Sequence, residues 1–224
     1  MINGVRLKVC GLTSLVDADA ADAVGADYLG FVFYPTSPRN VPPAQYQAML
    51  DRLPPRKKVA VSVEPTLVDL ARQLDLGFDF FQIHFNPQTP VTVISAWAER
   101  VGVARLWLAP RLPPAMEIYP ELFPLADTFL LDTFHPDKIG GTGVAGDWAK
   151  FRHYRESQPA KQWILSGGLA AGNIAEAIAA TGPRYVDVNS GVEQAPGIKS
   201  PVKLQAFVRA LHNATQPDHP AARG

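Results

Sequence analysis

The strongest constraint on the fold is an alternation of short β-rich runs with helical stretches. Several of the runs are apolar almost throughout, as strands covered on both faces should be. A parallel strand can follow another only through a crossover, which is usually a helix. Eight such repeats predict a closed α/β barrel, the (β/α)8 or TIM barrel. The runs are 7–10, 28–33, 57–63, 80–84, 104–108, 128–132, 162–166 and 185–189.

The segments between these runs carry helix-start residues followed by apolar residues at helical spacing. The last helix is predicted over about 201–211. The fifth helix is the exception, because the prolines crowded between residues 113 and 124 would break a regular helix. Helix starts are predicted at Ser14, Pro43, Pro65 and Asn173.

Length and composition predict a single domain whose overall charge does not attract anions. One barrel accounts for residues 1–224, with a frayed tail after about residue 213. Apolar residues make up 47% and charged residues 19%, which argues against disorder. Lys plus Arg equals Asp plus Glu at 21 each, so no global field favours nucleic acid or an anionic membrane. An anionic ligand must therefore be bound by a local site.

Cysteine usage and hydropathy predict a cytoplasmic protein. Cys10 is the single cysteine, which excludes an intramolecular disulfide and a cysteine-rich metal cluster. The five histidines have no partner at metal-ligand spacing, so no metal site is predicted. No signal-peptide core is present, and no apolar run approaches the roughly 20 residues that span a bilayer.

An open doubly wound sheet would show the same alternation, and the positions of the polar residues favour the barrel. Five polar residues each stand at the C-terminal end of an otherwise apolar run. In a barrel these ends converge on one face, where the active sites of this fold lie. The five are Cys10, His84, Asp132, Ser166 and Asn189.

Two of these residues are candidates for acid–base chemistry. A lone cysteine is commonly a small buried hydrophobe, but a thiol with a lowered pKa at a barrel mouth can accept a proton, which makes Cys10 a candidate base. Asp132 follows a strongly apolar run, and desolvation there would raise its pKa and let it serve as a general acid. A loop-capping aspartate is the alternative.

Glycine-rich turns predict a phosphate site. Barrels often bind phosphate with the loops after strands seven and eight, where backbone N–H groups are the donors. A neutral protein can bind an anion in this way. The loop at 140–143 offers a further turn, although a flexible loop is the alternative and no nucleotide-binding lysine follows it. The candidate residues are Gly141, Gly143, Ser166, Gly167, Gly168, Asn189, Ser190 and Gly191.

Two further residues are candidates for binding. Arg39 follows a proline-stiffened loop and could bind a carboxylate through two hydrogen bonds, although a solvated surface arginine is the alternative. His84 is predicted to line the pocket without taking part in the chemistry. No glycine-rich dinucleotide turn follows the first strand, so no nucleotide cofactor is indicated.

The ordered set of motifs resembles the phosphoribosylanthranilate isomerase family over about residues 5–211. The set includes Lys-Val-Cys-Gly-Leu-Thr at 8–13, Gly-Ala-Asp-Tyr-Leu-Gly-Phe-Val-Phe at 25–33, Ser-Pro-Arg at 37–39, Gln82 with His84, Leu-Asp-Thr at 131–133, Gly-Gly-Thr-Gly at 140–143 with Asp147-Trp148, Leu-Ser-Gly-Gly-Leu at 165–169 with Asn173, Val-Asp-Val at 186–188 and Ser-Gly-Val-Glu at 190–193. The resemblance implies a barrel enzyme of tryptophan biosynthesis.

The reaction that the resemblance implies is an Amadori rearrangement, an aldose–ketose isomerisation that needs no cofactor. It converts N-(5-phosphoribosyl)anthranilate into 1-(2-carboxyphenylamino)-1-deoxyribulose 5-phosphate. Asp132 matches the family's general acid, Cys10 its general base and Arg39 the arginine associated with the anthranilate carboxylate. Asp187 matches an acidic position near the pocket. The expected partner is this phosphorylated small molecule, and the expected state is a monomer or homodimer.

The sequence departs from the family pattern at three places, and two alternative functions remain possible from the sequence. Glu64 follows Val61-Ser62-Val63 where the family usually has a valine–asparagine pair, and Asn189 replaces a common serine. Phe85 replaces a usual glycine, a position from which its ring can intrude on the pocket wall or tilt the loop. The alternatives are another phosphate-binding barrel enzyme, for which no metal-binding pair or lysine-centred site is found at the strand ends, and a non-catalytic phospho-ligand-binding barrel.

Overall fold

Eight parallel strands close into a barrel in the computed structural model, which describes residues 1–113, 115–132 and 147–216. Each strand pairs with its neighbours in sequence, and β1 closes the barrel against β8. The predicted fold class is confirmed. The strands are β1 Arg6–Val9, β2 Tyr28–Phe33, β3 Lys57–Val63, β4 Phe80–Phe85, β5 Leu106–Pro110, β6 Thr128–Leu131, β7 Gln162–Leu165 and β8 Tyr185–Val188.

Several of the helices begin where a side chain satisfies a free N–H group of the first turn. The Ser14 hydroxyl accepts from the N–H of Asp17, and Thr66 and Asp69 form a reciprocal capping box one residue after the predicted start at Pro65. The helices are α1 Leu15–Ala23, α2 Pro43–Met49, α3 Leu67–Asp75, α4 Val91–Val101, α5 Trp148–Ser157, α6 Ile174–Thr181 and α7 Pro201–Ala214.

The fifth βα unit departs from a regular repeat. Between β5 and β6, a 3-10 helix at Pro120–Leu125 stands where the prolines argue against an α-helix. The prediction of β5 at 104–108 was two residues early. Arg105 instead donates its N–H to the carbonyl of Gly102 in a turn, and the strand extends to Pro110, which pairs with Phe85.

Apolar side chains form two cores, because successive residues of a strand point to opposite faces. One core lies between the strands and the surrounding helices, where Leu7 and Val9 of β1 are buried. The other fills the barrel interior, where Tyr28, Trp107 and Ile164 pack together. The inner core lies beneath the C-terminal strand ends and supports the residues there.

A short antiparallel hairpin follows β8 and was not predicted. It consists of β9 Glu193–Ala195 and β10 Ile198–Lys199. The N–H of Lys199 donates to the Asp17 carboxylate at 2.8 Å, which joins the hairpin to α1. Within the described ranges, no helix is long and apolar enough to cross a membrane.

Candidate active site

A cavity opens at the C-terminal ends of the barrel strands and brings together most of the predicted site residues. Gly141 and Gly143 lie outside the described residues. Gly191 is not among the lining residues. The cavity is lined by Cys10, Arg39, His84, Asp132, Ser166, Gly167, Gly168, Asp187, Asn189 and Ser190, together with Val32, Tyr34, Ser37, Val61, Val63, Gln82 and Leu169.

The two candidate acid–base groups reach this cavity from strands that are not neighbours. Cys10 follows β1 and Asp132 follows β6, whereas β1 pairs only with β2 and β8. Cys10 is buried, and Asp132 is half-buried. A thiol and a carboxyl group therefore line one cavity from separate sides of the barrel.

The Cys10 thiol does not have the lowered pKa that the sequence favoured. Burial raises the pKa of Cys10, and the Asp187 carboxylate adds to the rise. The ammonium groups of Lys8 and Lys199 lower it but do not fully offset the burial. The expectation failed because the first strand places the thiol in the barrel interior, where the loss of solvation disfavours a thiolate.

Lys8 forms a buried ion pair that was not predicted from the sequence. Its ammonium donates to the Asp187 carboxylate at 3.0 Å, and the side chains are 2% and 5% exposed. Burial opposes the charge on Lys8, but Asp187 and Cys10 more than offset it, so the pKa of Lys8 is raised. Burial raises the pKa of Asp187 despite this partner. Alternation along β1 places Lys8 and Cys10 on one face, a signal that could have identified the lysine.

Arg39 reaches the cavity while bound to a carboxylate of the chain itself. Its Nε and Nη2 atoms donate to the two oxygens of Glu193 at 2.8 and 2.6 Å. Lys199 also donates to Glu193, at 2.9 Å, and to the side-chain oxygen of Asn189 at 2.9 Å. Glu193 thus orients the guanidinium of Arg39 at the cavity wall, which uses two of its five N–H groups. Lys199 was missed because nothing in the sequence predicted the hairpin.

The turn after β7 has the geometry of an anion cradle. Gly167 and Gly168 have φ angles of 91° and 60°, which L side chains rarely adopt. Neither residue donates its backbone N–H to another described residue. Asn173 fixes the turn, since its amide donates to the carbonyl of Gly168 at 2.9 Å and its oxygen accepts from the N–H of Ala170.

Gly191 supports the cradle by allowing close packing rather than by lining the cavity. A Cβ at this position would lie 2.0 Å from the carbonyl oxygen of Leu169. Only glycine therefore lets the turn after β8 approach the turn after β7 so closely. Ser190 begins a three-residue 3-10 helix in this turn and does line the cavity.

His84 lines the cavity in its neutral form, and Phe85 points away from it. Burial lowers the pKa of His84 to about 3, with the charges of Lys8 and Arg111 acting in the same direction. Its Nε2 atom lies 2.8 Å from the amide nitrogen of Gln82. Phe85 packs edge-on against Trp97 of α4, with ring centroids 6.0 Å apart. Of the two effects considered for this residue, intrusion on the pocket wall does not occur, because strand alternation turns residue 85 outward.

The described part of the chain has no group of three or more His, Cys, Asp or Glu side chains that could hold a metal ion. The cavity instead combines a thiol, two carboxyl groups, an arginine and a glycine turn. Such a set can exchange protons with a bound molecule and hold its anionic groups.

Known proteins resemble this chain over nearly its whole length. A family model described as N-(5'phosphoribosyl)anthranilate (PRA) isomerase matches residues 7–210. The N-(5'-phosphoribosyl)anthranilate isomerase of Pseudomonas putida is 40% identical over 218 residues, which cover 95% of this chain and 100% of that protein. The crystal structure of TrpF from Jonesia denitrificans is 34% identical with a TM-score of 0.77 and covers 95% of this chain and 99% of its own.

A further solved structure was determined with a ligand. It is a phosphoribosyl anthranilate isomerase in complex with reduced 1-(o-carboxyphenylamino)-1-deoxyribulose 5-phosphate. That protein is 29% identical with a TM-score of 0.72, and the similarity covers 92% of this chain and 98% of its own.

Proposed function

The chain belongs to the N-(5'-phosphoribosyl)anthranilate isomerase family, and we propose that it catalyses the isomerisation of N-(5'-phosphoribosyl)anthranilate in tryptophan biosynthesis. The product is 1-(2-carboxyphenylamino)-1-deoxyribulose 5-phosphate. One observation carries the proposal. A single cavity is lined by a thiol, by a carboxyl group from a distant strand and by the turns after β7 and β8.

The reaction begins with Asp132 as the general acid. Its carboxyl group donates a proton to the furanose ring oxygen of the substrate. The ring then opens as the C1–O bond breaks, and the anilino nitrogen supplies the electron pair that forms an iminium ion. The position of Asp132 directly after β6, where it lines the cavity, supports this role.

Cys10 completes the reaction as the general base. The thiolate removes the proton from C2 of the opened sugar, and the electrons of that C–H bond move toward the iminium nitrogen to give an enolamine. The enolamine tautomerises to the ketone. One group must donate and another accept, so a carboxyl group and a thiol from separate sides of the cavity suit the two steps.

Anchors at the cavity wall hold the reacting carbons between these groups. The backbone N–H groups of Gly167 and Gly168, with the turn at Ser190, bind the 5-phosphate. Arg39 binds the anthranilate carboxylate with the N–H groups that Glu193 does not use. Two fixed anchors reduce the entropy lost on reaching the reactive geometry.

Two variants test the roles of the acid and the base. We expect Cys10→Ala and Asp132→Asn each to lower kcat by about 10²–10⁴-fold, the usual contribution of a positioned acid or base. Loss of anthranilate fluorescence reports turnover, and a reduced product analogue should still bind both variants. The control is Asp51→Asn, which removes an exposed carboxylate outside the cavity lining.

Near-normal turnover by either variant would overturn its assigned role. If the wild-type chain binds the substrate without converting it, the alternative of a non-catalytic phospho-ligand-binding barrel is correct. Complementation of a tryptophan auxotroph that lacks this isomerase tests the activity in a cell. A cytoplasmic location and a monomeric or homodimeric state stay predictions.

A further inference from the structure

Lys8 lies beside the proposed base at the centre of the barrel. Its ammonium donates to the Asp187 carboxylate at 3.0 Å, and alternation along β1 places Lys8 on the same face as Cys10. A Cβ added at Gly30 would lie 3.0 Å from Nζ of Lys8 and 3.1 Å from Cα of Cys10, so the ammonium and the cysteine lie close together. Lys8 and Asp187 are 2% and 5% exposed, so water screens neither charge. A charge at this position therefore acts strongly on the thiol.

The packing around Lys8 holds its ammonium in this position. A Cβ added at Gly30 of β2 would lie 3.0 Å from both Cε and Nζ of Lys8, so the glycine leaves just enough room for the lysine. Alternation along β1 turns Lys8 toward the barrel interior, which the inner core fills with apolar side chains from several strands. A buried pair of this kind adds little stability compared with apolar residues of similar volume, so stability alone does not explain it.

We propose that Lys8 is a positioning residue that acts through Cys10, with its buried ammonium, held by Asp187, stabilising the thiolate that takes the substrate proton. The inference rests on the proposed role of Cys10 as the base. Lys8 keeps its own proton throughout, and the proton from the substrate goes to the sulfur. Lys8 thereby opposes the burial that disfavours the thiolate.

Other charged groups also face the thiol, so the test must distinguish the effect of Lys8 on Cys10 from theirs. Within the described ranges, Asp187 acts from β8, Lys199 from β10 and Arg39 from the loop after β2. Among these charged groups, Lys8 has the largest effect on the pKa of Cys10. Lys8 lowers this pKa by more than Asp187 raises it. His84 and Asp132 line the same cavity.

The test is a direct titration of the thiolate, which requires no substrate. Cys10 is the only cysteine, so the ultraviolet absorbance of the thiolate, measured as the difference from Cys10→Ala, belongs to this residue alone. In Lys8→Met we expect the titration midpoint to rise by about one pH unit or more, which lowers the thiolate fraction near neutrality about tenfold. In the pH–rate profile of the isomerase reaction, the limb that reflects deprotonation of Cys10 should shift to higher pH by the same amount.

A double variant protects the test against misfolding. Lys8→Met leaves Asp187 buried without a partner, whereas Lys8→Met with Asp187→Leu removes both charges and leaves an apolar core, an exchange that proteins often tolerate. We expect the midpoint to rise in the double variant too. If Lys8 merely neutralised Asp187, the double variant would titrate like the wild type, and that result would overturn the proposal.

A matched control removes a lysine that does not face the thiol. Lys57→Met breaks an exposed ion pair with Asp79 and should leave the Cys10 midpoint unchanged. An equal shift in this control would also refute the proposal, because the effect would then not depend on proximity to the thiol. Since the titration needs no turnover, failure of the isomerase assignment would be seen separately in the activity assay.

Discussion

Replacing Glu193 with glutamine should destabilise the protein far more than the loss of one surface charge. The carboxylate accepts two hydrogen bonds from Arg39, at 2.8 and 2.6 Å, and one from Lys199 at 2.9 Å. The N–H of Gly197 adds a fourth at 3.2 Å. Glutamine keeps one acceptor oxygen but turns an amide NH2 toward Arg39. It also leaves the buried ammonium of Lys199 and the largely buried guanidinium of Arg39 without this counter-charge.

The size of the loss follows from burial. The side chains of Glu193 and Lys199 are 5% and 0% exposed, and that of Arg39 is 11% exposed. Breaking a buried pair by removing one partner costs about 3–5 kcal/mol. For a chain of this length that loss lowers Tm by about 6–20 °C. Urea unfolding of Glu193→Gln beside the wild type measures it directly.

The control is Lys57→Gln, which breaks the ion pair between Lys57 and Asp79 at 2.8 Å. Because Lys57 is 63% exposed, the loss should be no more than about 1 kcal/mol. If Glu193→Gln is destabilised as little as this control, the carboxylate does not hold the two cations, and the account of Arg39 as an oriented anchor is wrong.

The difference in unfolding free energy between wild type and Glu193→Gln should depend on pH in a definite direction. Burial works against the charge, but Arg39 and Lys199 outweigh it and hold the pKa of Glu193 below its ordinary value of 4.5. The stabilisation is therefore fully present above 4.5 and is lost as the pH falls through the lower value of the folded state. The gap between wild type and Glu193→Gln should close in acid, and a gap that stays constant would contradict the charge-based explanation.

Three further predictions concern the cavity and its wall. Arg39→Ala should raise KM more than it lowers kcat, since a remote anchor mainly supplies uniform binding, and an unchanged KM would exclude the anchor. Phe85→Ala should cost about 3–5 kcal/mol in urea unfolding, because its ring packs against Trp97, and should leave KM within the error of the wild-type value. His84, whose pKa burial lowers to about 3, should show no ring titration by NMR between about pH 5 and pH 8, and a midpoint near its ordinary value would mean that the ring is solvated.

The sequence predicted the barrel and most of the cavity lining because both depend on local patterns. Apolar runs that end in a polar residue mark the C-terminal ends of strands, and closure of the barrel brings those ends together. Cys10, His84, Asp132, Ser166 and Asn189 were found in this way, and all five line the cavity. The glycine turn at 167–168 was predicted because two glycines follow the seventh apolar run, and both glycines have positive φ angles in the structure.

Other features depend on contacts between distant residues and were not predictable from local pattern. Alternation along β1 places Lys8 on the face of Cys10, but its ion-pair partner Asp187 is identified only when β1 and β8 are paired. The partner of Arg39 is 154 residues away on a hairpin too short to show periodicity. The pKa of Cys10 depends on how deeply the barrel buries it, which a run of apolar letters does not give.

The cavity draws its functional groups from both ends of the chain. Cys10 and Arg39 belong to the first two βα units, whereas Asp132, the turn at 166–168 and Asn189 belong to the last three. A half-barrel intermediate would hold either the proposed proton acceptor or the proposed proton donor, never both. During refolding, turnover should therefore appear only after β1 and β8 have paired. The time at which activity returns then reports the closure of the barrel.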